Sequence, residues 1–129
     1  MRILHGVDLV QIPRFQEVFS HHPSFALDFF TDAERSYCQS RRNPHLHFAG
    51  RFAAKEAALK ALGIGITTWI DHTFREIEVS RTEFGKPTLN LHGWPARWSK
   101  ALRLSQTTVS ISHSADYVVA TVILVSGRE

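Results

Sequence analysis

The sequence contains one cysteine and one methionine in 129 residues. With a single thiol, Cys38, no disulfide can form within the chain, which fits a reducing compartment. Cys38 itself reads as a half-buried small residue rather than a nucleophile. No apolar run approaches the ~20 residues that a membrane-spanning helix needs. The stretch MRILHGVDLV is only partly apolar, because His5 and Asp8 interrupt it. No small-residue cleavage site follows, so it does not read as a signal peptide. These absences lead to the expectation of a cytoplasmic protein. Blocks of like charge, internal repeats, low-complexity tracts and interdomain linkers are also missing. The run GRFAAKEA lacks the second glycine and the Ser or Thr of a P-loop. Eight histidines invite a zinc site, with His21-His22 and His45-x-His47 as the closest pairs. No cysteine cluster or HExxH motif supports one.

What is present fits one domain spanning residues 1–129. Fifteen Lys and Arg against twelve Asp and Glu give a formal charge of +3. That excess favours anionic partners such as phosphates, acidic proteins or nucleic acid.

Local patterns predict a mixed α+β domain with a largely antiparallel sheet. Ile3 to Ile12 reads as a strand. Pro13 suits a first helical turn, and Phe15, Val18 and Phe19 follow at helical spacing until a break at His21 to Pro23. Thr31 and Glu34 form a capping box for a helix Asp32 to Ser40. Arg41 to His47 reads as a loop, with Asn43-Pro44 as its turn signal. The clearest helix is Ala49 to Leu62, rich in Ala, Leu, Lys and Glu, and closed by Gly63 and Gly65. Ile77 and Val79, a turn at Gly85-Lys86-Pro87, and Thr88 to Leu91 read as a hairpin. A short helix Pro95 to Leu102 precedes a strand at Thr108 to Ser112. The β-branched run Tyr117 to Val125 reads as a buried central strand.

Two carboxylates carry the candidate chemistry. Asp8 lies between Val7 and Leu9 in an apolar strand. It either faces solvent by alternation or is buried with a cation or donors. Glu56 lies in RFAAKEAALKAL and shares a face with Lys60, at i, i+4. It belongs either to an exposed ion pair or to a site. Alanines 53, 54, 57, 58 and 61 would let other groups approach this helix closely. Arg51, Lys55 and Lys60 add positive charge. Two carboxylates with lysines suit magnesium and phosphate, because magnesium takes hard oxygen ligands and uses one or two carboxylates. His113 ends the alternating strand VSISHS among small residues, where a phosphate could approach.

Five strings, in order, resemble one family. GVDLVQIPRF, FTDAERSYC, RFAAKEAALKALGIG, FGKPTLNLHG and VSISHSADYVVATVIL are similar to those of the holo-[acyl-carrier-protein] synthases, the small phosphopantetheinyl transferases. The likeness covers nearly the whole chain. It implies the 4'-phosphopantetheinyl transferase fold, with antiparallel strands packed around one long central helix. It implies transfer of the 4'-phosphopantetheine arm of coenzyme A to a serine of apo acyl carrier protein, in support of fatty acid biosynthesis. By resemblance, Asp8 and Glu56 hold Mg2+, and Lys60 lies near the leaving diphosphate side. Arg51, Lys55, Gly63, Gly65, Lys86, Pro87 and His113 are assigned to the coenzyme A site. Arg14, on the first helix, contacts the acidic carrier protein. The family pattern also implies a homotrimer with active sites at subunit boundaries, and neither nucleic acid nor membrane as partner.

The chain departs from the family pattern in two places. Gly63-Ile64-Gly65 stands where Gly-Thr-Gly is usual, which removes a hydroxyl. The docking helix is short of basic residues, with Glu17 and Phe19 among its members, and His21 and His22 add charge only at lower pH. The alternative reading is a basic RNA-binding module without catalytic activity. The chain has no RNP-like aromatic string and no arginine-rich stripe to support that. A broader transferase acting on peptidyl carrier domains would be about twice as long.

Overall fold

The computed structural model describes residues 1–64 and 71–128. The elements are β1 (Arg2–Gln11), α1 (Ile12–His21), α2 (Phe25–Phe29), α3 (Asp32–Gln39), α4 (Pro44–Ala61), α5 (Asp71–Glu76), β2 (Ile77–Arg81), β3 (Pro87–Leu91), α6 (Gly93–Ala101), β4 (Leu104–Ser114) and β5 (Tyr117–Ser126). Strands β1, β5 and β4 form one antiparallel sheet in that order, and β2 pairs with β3 in a separate hairpin. The class is α+β, as expected.

The β-branched run takes the central place between β1 and β4. Period-two geometry sends Val118, Ala120, Val122 and Leu124 into the core. The opposite face is less covered than the sequence run suggests. Tyr117 and Ile123 are exposed there, and so are Ile3, Val7 and Leu9 of the paired β1.

Helix α4 lies against the inner face of β1 and β5. Its six alanines, at 49, 53, 54, 57, 58 and 61, are all buried, so the backbones approach closely. Gly6 makes that approach possible, since a Cβ there would overlap the carbonyl oxygen of Ala57. The helix begins earlier than its sequence suggests. Pro44 opens it, and residues up to His47 are helical rather than loop. Proline at the first turn loses no helical hydrogen bond, so the turn signal is in fact a helix start. The capping box on α3 forms as expected, with Thr31 Oγ1 accepting from Glu34 N–H and Glu34 Oε1 accepting from Thr31 N–H. The short helices α2 and α5 have no counterpart in the sequence reading.

Phenylalanines fill the space between α1, α2 and α4. Phe15 touches Phe19, Phe25 and Phe52, Phe48 meets Phe19 and Phe30, and Phe52 stacks on Phe74. Phe19 therefore belongs partly to the core, not to the outer surface of α1. Cys38 is wholly buried rather than half-buried. Burial raises its thiol to about 11, so little thiolate exists near neutral pH.

Candidate active site

On β1, Gly6 and Asp8 share the inner face with Leu4 and Val10. The close crossing at Gly6 brings Asp8 onto α4, beside Glu56. This settles the alternative for Asp8, whose side chain is only 12% exposed. Glu56 is half-buried and its carboxyl lies beside that of Asp8. Burial, and then the neighbouring Asp8 charge, push the Glu56 carboxyl up to about 7, while Lys60 opposes the rise. Lys60 reaches back across the crossing, with Nζ donating to Asp8 Oδ1 at 3.1 Å and to the Val7 carbonyl at 3.0 Å. The ammonium side chain stays 53% exposed. Glu56 and Lys60 thus share a face as expected, but the direct ion pair of Lys60 is with Asp8.

Chemically, this is a pair of hard oxygen donors held close enough to share a proton, with one cation beside them. Two like charges so placed are relieved by a proton or a metal. Among the described residues no group of three or more His, Cys, Asp and Glu side chains is placed to hold a metal. A two-carboxylate set is what magnesium uses when phosphate and water complete its shell. The donors therefore fit the ion that the resemblance implies.

Lys55 corrects the sequence reading. One residue before Glu56 on the helix, it points about 100° away, into the core. Its Nζ donates to Glu34 Oε1 at 2.6 Å, to the Phe74 carbonyl at 2.6 Å and to the Phe29 carbonyl at 2.9 Å. Both side chains of the Lys55–Glu34 pair are fully buried. Burial holds the Lys55 ammonium below its ordinary pKa, against the pull of Glu34. All three ammonium protons have acceptors, so none is left for a phosphate. Glu34 Oε2 also accepts from Val79 N–H at 2.7 Å, which ties α3, α4 and β2 together.

A second hollow of about 230 Å³ lies between α3, α4, the hairpin and β4. Tyr37, His47, Gly50, Arg51, Arg81, Gly85, Pro87 and His113 are among its lining residues. Arg51, only 6% exposed, stands 4.2 Å from the centre of the Tyr37 ring. Arg81 stands at 4.7 Å and Arg41 at 5.4 Å. Among the described residues no carboxylate pairs with Arg51, and its buried Nε has no hydrogen-bond partner. His47 is held below the ordinary imidazole pKa by burial first, then by Arg51, Arg41, Arg81 and His113. A buried guanidinium without a counter-ion, in a pocket rich in positive charge, is a receptor for an anion.

Of the residues assigned to coenzyme A, the fold gathers Arg51, Pro87 and His113 here. Lys86 sits exposed on the adjoining turn, where its N–H donates to Thr82 Oγ1. Gly63 is elsewhere. It closes α4 in a left-handed conformation and lines a different hollow with Arg2, Trp98 and Arg128. Gly65 lies outside the described residues. Tyr37 and Arg81 escaped the sequence reading, and His47 entered it only as half of the zinc pair His45-x-His47. Tyr37 carried the only signal, as part of FTDAERSYC. Arg14 is exposed on α1 and lines an open groove of about 530 Å³ with Leu9, Phe15, Val18 and Tyr117.

A sequence profile of the 4'-phosphopantetheinyl transferase superfamily matches residues 5–122. The chain belongs to this family. It is 41% identical over 120 residues to a holo-[acyl-carrier-protein] synthase of Koribacter versatilis, covering 92% of this chain and 94% of the relative. The ACPS–CoA complex of Chronobacterium ammoniagenes superimposes with a TM-score of 0.86 at 34% identity, covering 99% of this chain and 100% of that one. A holo-[acyl-carrier-protein] synthase of Helicobacter pylori in complex with coenzyme A does so with a TM-score of 0.79 at 28% identity, covering 95% and 100%. For a 4'-phosphopantetheinyl transferase, one cluster suited to metal and diphosphate and one suited to a separate anion are the parts a coenzyme A site needs. Nothing in these likenesses supports the RNA-binding alternative.

Proposed function

We propose that this protein is a holo-[acyl-carrier-protein] synthase, transferring 4'-phosphopantetheine from coenzyme A to a serine of apo acyl carrier protein. The observation that carries the reading is the Asp8–Glu56 pair beside Lys60, built by the tight crossing of β1 over α4. Its products are holo carrier protein and adenosine 3',5'-bisphosphate, and its setting is fatty acid biosynthesis in the cytoplasm. Among the described residues no helix is long and apolar enough to cross a membrane.

Asp8 and Glu56 would be the oxygen donors that hold magnesium, with Glu56 giving up its proton for that role. When bound, the ion supplies positive charge that orients the coenzyme A diphosphate and draws electron density from its phosphorus. The carrier serine oxygen attacks the phosphorus on the pantetheine side, and the P–O bond to the nucleotide side breaks. A nearby carboxylate takes the serine proton, and Glu56 is the nearest candidate on this chain. Lys60 has one N–H left after its bonds to Asp8 and Val7, and directs it to the departing phosphate. The nucleophile belongs to the carrier, so the chain needs no Ser, Cys or triad of its own. Arg51 and His113, at the second hollow, hold the remaining anionic group of coenzyme A, with Pro87 in its wall.

Arg14, exposed beside an open groove on α1, is the contact for the acidic carrier. The uncovered strip Ile3, Val7, Leu9 and Ile123 on the outer sheet face supports the homotrimer, because a symmetric assembly would bury it.

The test is to mix the protein with apo carrier, coenzyme A and magnesium and to weigh the carrier by intact mass spectrometry. One added phosphopantetheinyl group, lost when EDTA is present, is the expected result. No gain from the folded protein with several carriers would remove the reading.

A further inference from the structure

We propose that Tyr37 is a positioning residue for the reaction: its ring holds Arg51, Arg81 and Arg41 together as the receptor for the 3'-phosphate of coenzyme A. The inference rests on the coenzyme A reading above and adds to it the group that organises the pocket. Three guanidiniums repel one another, and none of them is bridged to its neighbours by a carboxylate among the described residues. What they share is the ring. Arg51, Arg81 and Arg41 lie 4.2, 4.7 and 5.4 Å from its centre, within the range of cation–π attraction. His47 meets the same ring edge-on, with centroids 5.7 Å apart.

The framework behind the ring is rigid. Glu34 lies three residues before Tyr37 on α3, Lys55 four residues after Arg51 on α4, and Val79 two residues before Arg81 on β2. The buried Glu34 carboxylate bonds to both Lys55 Nζ and Val79 N–H. One ionic hub therefore fixes the three elements, each within one turn or one pleat of a member of the Tyr37 cluster. Tyr37, Arg51 and Arg81 also line both the 230 Å³ hollow and a neighbouring one of about 370 Å³, so the cluster forms the partition between them.

Coenzyme A carries two separate anionic groups. The diphosphate suits the metal and Lys60 at the carboxylate pair. The phosphate monoester at the ribose 3' position is left for the arginines, whose planar forks match phosphate oxygens. The Tyr37 hydroxyl makes no hydrogen bond among the described residues, so the ring alone should carry the effect.

The test compares coenzyme A with 3'-dephospho-coenzyme A in steady-state transfer to apo carrier protein. Calorimetric titrations with adenosine 3',5'-bisphosphate and adenosine 5'-monophosphate run beside it. Tyr37→Leu should raise KM for coenzyme A about tenfold and weaken adenosine 3',5'-bisphosphate by a similar factor. It should leave kcat and KM for 3'-dephospho-coenzyme A as in the wild type. Tyr37→Phe should behave as wild type. Tyr37→Met, whose longer and unbranched side chain fills irregular gaps better, takes the place of Tyr37→Leu if circular dichroism shows that the latter does not fold. Arg81→Gln should show the same selective loss, and the Tyr37→Leu, Arg81→Gln double variant should lose little more than either alone. Equal losses with both coenzyme A forms, a defect in Tyr37→Phe, or no loss in any variant would overturn the proposal. A wild type that bound neither nucleotide and transferred nothing would instead overturn the coenzyme A reading beneath it.

Discussion

Lys55 and Glu56 are consecutive residues of α4, and each belongs to a carboxylate–lysine cluster, but the two clusters do opposite work. The Glu34–Lys55 pair is closed. Both side chains are fully buried, and the ammonium has an acceptor for every proton. The Asp8–Glu56–Lys60 group is open. It sets two carboxyls, one of them up-shifted, against a single half-exposed lysine. A satisfied cluster stabilises and orients, while an unsatisfied one is ready for a ligand. One hundred degrees of helical rotation separates the two roles.

The strongest way to break this contrast is at the open cluster. Asp8→Ala or Glu56→Ala should cut turnover by about a thousandfold or more, without loss of fold. Activity assays paired with circular dichroism check it, and near-normal turnover in either variant would remove the metal-holding role. At the closed cluster the expected effect is the reverse. Lys55→Ala leaves Glu34 buried and uncompensated, which should cost roughly 3–5 kcal/mol of stability. Denaturant unfolding measures this, and Lys55→Met with Glu34→Leu should recover part of the loss. A Lys55→Ala protein with wild-type stability and a selectively raised KM for coenzyme A would return Lys55 to the substrate site.

The smallest effect sharpens the comparison through pH. Native Glu56 keeps its proton up to about 7, against an ordinary carboxyl value of 4.5. Between those values the native state holds a proton that the unfolded chain has lost. Stability of the metal-free protein therefore falls as pH rises through this window, at up to about 1.4 kcal/mol per pH unit from this group. The group has no effect below the window and adds no further loss above it. Magnesium needs the ionised pair, so its thermal stabilisation should grow from pH 5.5 to pH 8. A magnesium-induced rise in Tm that is independent of pH would mean that the pair does not take the metal.

Most of the strands, the capping box on α3 and the long helix were legible because they rest on local rules. Period-two alternation, Thr31 with Glu34, and a run of alanines each signal themselves within a few residues. The start of α4 was misread because Asn43-Pro44 fits both a turn and a first helical turn. The site residues divide in the same way. Asp8, Glu56 and Lys60 stood out by charge in an apolar or small-residue setting. Tyr37, His47 and Arg81 did not, because each is ordinary in its own segment and gains meaning only from the others.

The sequence by itself determined the α+β class, the family likeness and the pair of carboxylates, because these are carried by composition, order and short-range pattern. Only the tertiary structure decided that Asp8 faces inward, that Lys55 is locked to Glu34 while Glu56 is not, and that three arginines meet on one ring. Those outcomes depend on how closely β1 crosses α4 at Gly6 and on the rotation of α4 between the sheet and α3. Such distances are set by packing between segments far apart in the chain, and no local pattern encodes them.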